Sequence, residues 1–163
     1  MILIAAVDRN WAIGKNNELM THIPADKNFF RETTTGNVVV MGRKTLESFP
    51  NGAPLKNRRN IVLSGNPSYS KEGVTVFHDL ESLLAEVEKY PPDSVFCIGG
   101  ASVYEELLPY CDKALITKID EAYEADAFFP DLDKMKGWKE TARSEEQTYF
   151  DLVYHFVTYE RID

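Results

Sequence analysis

A set of short apolar runs that do not alternate constrains this chain more than any other feature. MILIAAV (Met1–Val7), NVVVM (Asn37–Met41), IVL (Ile61–Leu63) and SVFCI (Ser94–Ile98) are apolar at nearly every position, and KALITKI (Lys113–Ile119) carries the apolar run Ala114–Ile116. A strand with one wet face alternates. A continuous β-branched run suits a strand covered on both faces, the habit of parallel sheets. Helical stretches separate the runs: about Ala25 to Thr34, Thr45 to Ser48, Asp79 to Glu88 with Asp79 as N-cap, and Ala101 to Leu108. Strand and helix in alternation predict an α/β fold, a mainly parallel central sheet with helices on both faces. Val74 to Phe77 adds a short strand. Trp138 to Ala142 and Asp151 to Tyr159 read as a terminal antiparallel pair, which places an antiparallel strand at the C-terminal edge. A chain of 163 residues suits one domain spanning 1–163, without repeats or linkers.

Charge and cysteine usage bound the partners. A formal net charge of −8 argues against a nucleic-acid binder, which needs a basic face. A few local cations can still hold a small anion against that field. No apolar segment approaches the ~20 residues of a membrane span, and MILIAAVDRN lacks the basic start of a signal peptide. Cys97 and Cys111 form no CxxC, so free thiols in a reducing cytoplasm are expected. His22, His78 and His155 are scattered, so no metal site is expected. GxSxG, GxGxxG and GxxxxGK[ST] are all missing.

The chemistry-bearing residues sit at strand-to-helix junctions. In MTHIPADKNFFRETTT (Met20–Thr35), Pro24 suits a first helical position and Asp26 the first turn. Phe30, four residues on, shares the Asp26 face. A carboxylate beside an aromatic wall can bind a cationic or amidine-like heterocycle, or carry a raised pKa into proton transfer. The plainer reading is a helix-start decoration. Gly42-Arg43-Lys44-Thr45 follows a buried strand and reads either as an anion site or as a solvated basic turn. Gly99-Gly100 forms a second strand–glycine–helix junction, and two such junctions favour a dinucleotide more than either alone. Ser64 ends a strand and suits a phosphate or a turn. Thr117 lies in an apolar strand, where most hydroxyls bond the backbone and a minority face a ligand. The polar loop Lys15 to Glu18 has the position of a binding loop. A glycine-lined anion site, a basic turn and one carboxylate suit hydride transfer, where the cofactor carries the chemistry.

Taken together, IAAVDRNWAIGKNNEL, IPADKNFFRETT, VVVMGRKTLES, NRRNIVLSG, FCIGGASVYEELLP, ALITKI and ADAFFPD resemble the dihydrofolate reductase family over nearly the full length. The resemblance implies a doubly wound, mainly parallel eight-stranded sheet and NADPH-dependent reduction of 7,8-dihydrofolate to tetrahydrofolate. It implies Asp26 as the catalytic carboxylate, pairing with the pterin and assisting its protonation through water, with Thr117 in the same network. Ile4, Ala5, Lys27, Phe30, Phe49, Leu55 and Ile98 match the substrate pocket, and Arg58 the group that holds the glutamate α-carboxylate. Ala6, Ile13, Gly14, Ile98 and Tyr104 match the nicotinamide side, with Tyr104 shared with the substrate. Gly99, Gly100, Ala101, Ser102 and Val103 match the pyrophosphate turn. Gly42, Arg43, Lys44, Thr45, Leu63, Ser64 and Gly65 match the far cofactor side, where Arg43 and Ser64 favour the 2′-phosphate. Antifolate inhibitors are implied ligands, and a monomer is expected. Asp126 matches an acid that packs near the first loop.

Four positions depart from the family pattern. Met20-Thr21 stand where the family carries Pro-Trp, Lys27 where it often has an apolar residue, and Ala127 where it has threonine. Two other functions remain open on sequence: a related NADPH reductase of another pterin or a pyrimidine, and a non-catalytic NADPH- or folate-binding protein.

Overall fold

A computed structural model describes residues 1–16, 18–19 and 22–162, with the backbone alone for 18–19. The Met20-Thr21 departure lies outside the described residues. The elements run β1 (Ile2–Val7), β2 (Ala12–Lys15), β3 (Glu18–Leu19), α1 (Pro24–Thr34), β4 (Val38–Gly42), α2 (Arg43–Glu47), β5 (Arg59–Leu63), β6 (Thr75–Phe77), α3 (Leu80–Val87) and β7 (Val95–Gly99). Then follow α4 (Ala101–Leu107), β8 (Lys113–Ile119), β9 (Ala127–Phe128), β10 (Trp138–Arg143), β11 (Gln147–Tyr149) and β12 (Leu152–Arg161). Asp79 caps α3 as its sequence predicts, its carboxylate accepting from Ser82 N–H at 2.7 Å.

The main sheet has the order β10-β12-β8-β1-β7-β4-β5-β6. The pairs from β8 through β6 are parallel, and β12 runs antiparallel to β8. The eight strands of that path match the expected count, and β11 adds a ninth to the sheet. The antiparallel C-terminal strand sits one place in from the edge. Its ten residues are long enough for β10 and β11 to pair in succession along its outer side.

The apolar runs split by parity onto two faces, as the pleat requires. Ile2, Ile4, Val39, Met41, Val62 and Phe96 join one cluster with Leu46 of α2, and Phe29 and Phe30 of α1 pack on it. Leu3, Val38, Val40, Ile61 and Cys97 join the other, with Leu83 of α3 and Val103, Tyr104 and Leu107 of α4. Both faces of the sheet are therefore covered by helices, which is why the strands needed no polar alternation. Each fully buried Leu or Met contributes ~1.5–3 kcal/mol of transfer free energy.

The polar loop after β1 folds into structure of its own. Strands β2, β3 and β9 form a small second sheet. Its root is Asp8, 1% exposed, whose Oδ1 accepts from Asn10 N–H (2.8 Å) and Ala12 N–H (2.9 Å). Oδ2 of Asp8 accepts from Tyr123 N–H (2.8 Å), tying the loop before β9 to the same carboxylate. Between these bonds Trp11 takes φ +61°, uncommon for a bulky residue. Its ring lies against Phe129 and Tyr159, with Lys118 Nζ 5.1 Å from its centre. No helix among the described residues is long and apolar enough to cross a membrane.

Candidate active site

The carboxyl ends of β1, β7 and β8 meet beside the N-terminal turn of α1. In open α/β sheets that crevice is the usual place for a ligand. Asp26 enters it from α1, whose first turn has Pro24 at its start and Ile23 as N-cap. Thr117 enters from β8, in register with Ala6 of β1. The Thr117 hydroxyl, 2% exposed, donates to Asp26 Oδ1 at 2.6 Å, although 91 positions separate the two. Among the described residues nothing donates to Oδ2, which leaves that oxygen for a ligand. Burial raises the Asp26 pKa above its ordinary value of 3.8, and the Thr117 bond offsets part of the rise. Desolvation is therefore the dominant effect on this carboxyl.

Apolar walls extend outward from Asp26. Ile4 is buried, and Phe30, Phe49, Leu55 and Ile98 pack in the same cluster. Ala5 and Ala6, later in β1, are half-buried. At the outer end Arg58 is half-buried; its Nε donates to Lys56 O (2.9 Å) and its Nη1 to Thr34 Oγ1 (3.1 Å). Thr34 in turn donates to Phe30 O at 2.8 Å, so the arginine is anchored to the helix that carries Asp26. Burial, and then the charge of Arg31, lower the Arg58 pKa from its ordinary value. Lys27 is exposed on the rim.

The two glycine junctions lie side by side, because β4 and β7 are paired neighbours. Gly99 has φ +120°, and the peptide between it and Gly100 is cis. A Cβ on Gly99 would sit 3.3 Å from the Tyr104 ring, one on Gly42 3.0 Å from Val103 Cγ2, and one on Gly100 3.4 Å from Thr45 Oγ1. The backbone here packs this closely against α2 and α4 only because side chains are missing from it. Neither α2 nor α4 has a side-chain cap at its start. Tyr104 is buried and donates its hydroxyl to Ile4 O at 2.7 Å, joining α4 to β1 under the crevice. Ala101 is half-buried and Ser102 exposed at the head of α4. A Cβ at residue 99 meets both strain at this φ and the Tyr104 ring. Gly99→Ala is expected to cost ~1–3 kcal/mol. Thermal unfolding should show it as a midpoint lowered by ~2–10 °C, and an unchanged midpoint would contradict the tight approach.

On the far side Arg43, Ser64 and His78 each stand one residue beyond the registered ends of β4, β5 and β6, where Gly42, Leu63 and Phe77 pair. Arg43 Nη1 donates to both carboxylate oxygens of Glu47 at 2.9 Å. Ser64 is buried; its carbonyl oxygen is 3.0 Å from His78 Nδ1. Lys44 and Gly65 are exposed, and Thr45 and Leu63 half-buried. On the near side, Ile13 is half-buried and Gly14 buried in β2. The β2 hairpin is clasped by β9: Asn16 N–H donates to Asp126 Oδ2 (3.1 Å), Asp126 N–H to Gly14 O (3.1 Å), and Lys15 pairs with Glu124.

Sequence reasoning did not single out Asp8, Trp11 or His78 for these positions. Asp8 had a signal, since an aspartate directly after a buried strand and before Arg-Asn suits a side-chain-to-backbone turn. The roles of Trp11 and His78 depend on partners far along the chain and left no local trace.

A family model described as Dihydrofolate reductase matches residues 1–161. The chain is 40% identical over 162 residues to a dihydrofolate reductase of Bacillus subtilis, covering 97% of this chain and 92% of that protein. It is 43% identical over 142 residues to dihydrofolate reductase type 3 of Salmonella typhimurium, covering 87% and 85%. Among solved structures, a dihydrofolate reductase from Enterococcus faecalis complexed with NADP(H) and RAB-propyl superposes with a TM-score of 0.88. The two share 39% identity, over 99% of this chain and 96% of that one.

Proposed function

The chain belongs to the dihydrofolate reductase family, and on that premise we propose that Asp26 assists protonation of the pterin during NADPH-dependent reduction of 7,8-dihydrofolate to tetrahydrofolate. NADPH supplies the hydride when bound. The residues that would hold it are those of the two strand–glycine–helix junctions, where Gly42, Gly99 and Gly100 let the backbone pack closely against α2 and α4. The uncapped starts of α2 and α4 leave backbone N–H groups for phosphate oxygens.

The observation that carries this reading is the Thr117–Asp26 hydrogen bond in a half-buried crevice. Thr117 fixes Oδ1, and the carboxylate so held can accept from the 2-amino group and neighbouring ring nitrogen of a pterin, which offer two donors. Asp26 polarises the ring, and water delivers the proton. Ile4, Ala5, Phe30, Phe49, Leu55 and Ile98 supply the walls, and Arg58 takes the α-carboxylate of the tail. Ala6, Ile13, Gly14 and Tyr104 border the nicotinamide, and closure of the β2 hairpin excludes bulk water.

Arg43 and Ser64 select the 2′-phosphate. The Glu47 partner of Arg43 does not stand in the way. An exposed ion pair is worth ~0.2–1 kcal/mol, while a charge-assisted contact to a phosphate dianion is roughly twice as strong as a neutral hydrogen bond. Arg43→Gln is expected to raise KM for NADPH about tenfold, on the scale of one charge-assisted contact, and to leave KM for NADH nearly unchanged. Equal effects on both cofactors would remove Arg43 from that role. The function itself is tested by mixing purified protein with NADPH and dihydrofolate and following absorbance at the NADPH band. Cofactor bound without turnover would overturn the proposal.

A further inference from the structure

Lys118 lies on the face of β8 opposite Thr117, and its ammonium is held in a closed triangle. Its Nζ donates to Asp133 Oδ2 at 2.8 Å and to the Tyr159 hydroxyl at 3.0 Å, and that hydroxyl donates to Asp133 Oδ1 at 2.8 Å. The three groups come from β8, from β12 and from the single turn Leu132–Lys134 between β9 and β10. Burial alone would raise the Asp133 carboxyl, but the bonds from Lys118 and Tyr159 outweigh it and hold that carboxyl below its ordinary value of 3.8. Burial, and then the bond to Asp133, push the Tyr159 hydroxyl well up, so it stays a donor. Nothing in the Asp26 chemistry uses these three groups.

The triangle stands against a row of rings. Lys118 Nζ is 5.1 Å from the centre of the Trp11 indole and 5.7 Å from that of Tyr159. Trp11 meets Tyr159 edge-on at 5.7 Å and stacks on Phe129 at 5.9 Å, and Phe129 lies 4.7 Å from Tyr104. The row thus runs from β12 to α4 and ends on the Tyr104 ring, against which Gly99 packs. Trp11 is also the residue before β2. Its carbonyl accepts from Phe129 N–H at 2.8 Å, and the next pairs along, Ala12 with Phe128 and Gly14 with Ala127, build the small sheet. Its φ of +61° is a conformation that a bulky residue keeps only where its surroundings fix it.

A cation is a costly choice for this place. Trp11, Phe129, Leu132 and Tyr159 are buried members of one apolar cluster, and the Lys118 side chain is only 23% exposed. Taking an ammonium out of water is repaid only by well-placed partners, and an apolar side chain of similar size often packs as stably. What a methionine could not supply is direction. A cation prefers the face of a ring, and Asp133 and Tyr159 fix where this cation stands. We infer that Lys118 is a positioning residue for the cofactor site: it orients the Trp11 indole, and through it the backbone of Ile13 and Gly14 and the Phe129–Tyr104 pair. The inference rests on the reductase reading above, in which Ile13, Gly14 and Tyr104 border the nicotinamide. Its effect therefore falls on NADPH and not on the pterin end of the crevice.

The test is Lys118→Met, which keeps length and apolar bulk and removes the charge. NADPH and dihydrofolate are titrated separately against parent and variant for Kd, and kcat and KM are measured for each. Kd and KM for NADPH should rise about fivefold, the scale of one partly desolvated cation–π contact, with Kd for dihydrofolate nearly unchanged. Lys118→Arg, which keeps a cation over the ring, should recover most of the loss. The chain has two tryptophans, so in a Trp138→Phe background the emission reports Trp11 alone. That emission should shift in Lys118→Met and hold in Lys118→Arg, while the thermal midpoint stays close to the parent's. A merely structural role would lower the midpoint and weaken both ligands together. Equal NADPH affinity in parent and Lys118→Met, equal losses for the two ligands, or an unmoved Trp11 emission would overturn the inference. If Trp138→Phe does not fold, the two titrations still decide it. A parent that binds both ligands without turnover would count against the reductase reading alone.

Discussion

Replacing Asp26 by asparagine should lower kcat/KM for dihydrofolate at neutral pH by roughly 10²–10⁴-fold, the range of general acid–base assistance, or about 3–5 kcal/mol in the barrier. Asparagine keeps the shape and can still accept from Thr117, so the loss reports charge and proton supply rather than packing. The deficit should narrow as pH falls, because solvent then protonates the pterin unaided. Hydride-transfer rates measured in single turnover against pH decide this, and a deficit that is constant across pH would sink the protonation role. Stability should move the other way. The folded-state pKa of Asp26 is raised, so between its ordinary value of 3.8 and the folded value the native protein binds more protons than the unfolded chain. Its contribution is therefore harmless below that window and becomes a cost as pH rises through it. Asp26→Asn removes the cost, and the ligand-free variant should unfold at a higher temperature than the parent at neutral pH.

Asp8→Ala is expected to destabilise the protein by ~3–4 kcal/mol, because three backbone N–H groups lose a buried, charged acceptor at once. They belong to Asn10, Ala12 and Tyr123, so the loss falls on the root of the β2 hairpin and on the loop that leads to β9. Asp8→Asn separates the contributions. Its amide oxygen can still serve Asn10 and Ala12, while its NH₂ would face the Tyr123 N–H. About half the loss should return. Denaturant titration of the three proteins measures this, with m-values compared to check that the unfolding remains two-state. Equal stability of all three would mean that water replaces the carboxylate without cost.

The sheet was legible because burial on both faces leaves a local mark. Val38–Gly42 is an unbroken run whether or not its neighbours are known, and Ala114–Ile116 is another inside β8. The Gly42 and Gly99 junctions were legible for a similar reason: glycine at a strand end leaves few alternatives. Asp26 and Thr117 were visible only as candidates, and joining them took either the resemblance or the structure. The small β2–β3–β9 sheet was not legible. Its strands are two to four residues long, so it read as loop. What holds it is a carboxylate at Asp8 and acids at Glu124 and Asp126, and nothing in local periodicity announces such long-range bonds.

The central place of β1 has a consequence for how the protein comes into being. Strand β1 leaves the ribosome well before its lateral partners β7 and β8, which pair Leu3 with Cys97 and with Ala114. At synthesis rates of 5–20 residues per second, the 91 positions between Asp26 and Thr117 take about 5–20 s to appear. During that interval the nascent chain carries β1 without its full set of lateral partners, and an unpaired edge is the condition in which strands pair wrongly. Joining Asp26 to Thr117 is therefore a late, long-range event with a high cost of loop closure. A chain stalled before residue 117 carries the carboxylate without the hydroxyl that fixes it.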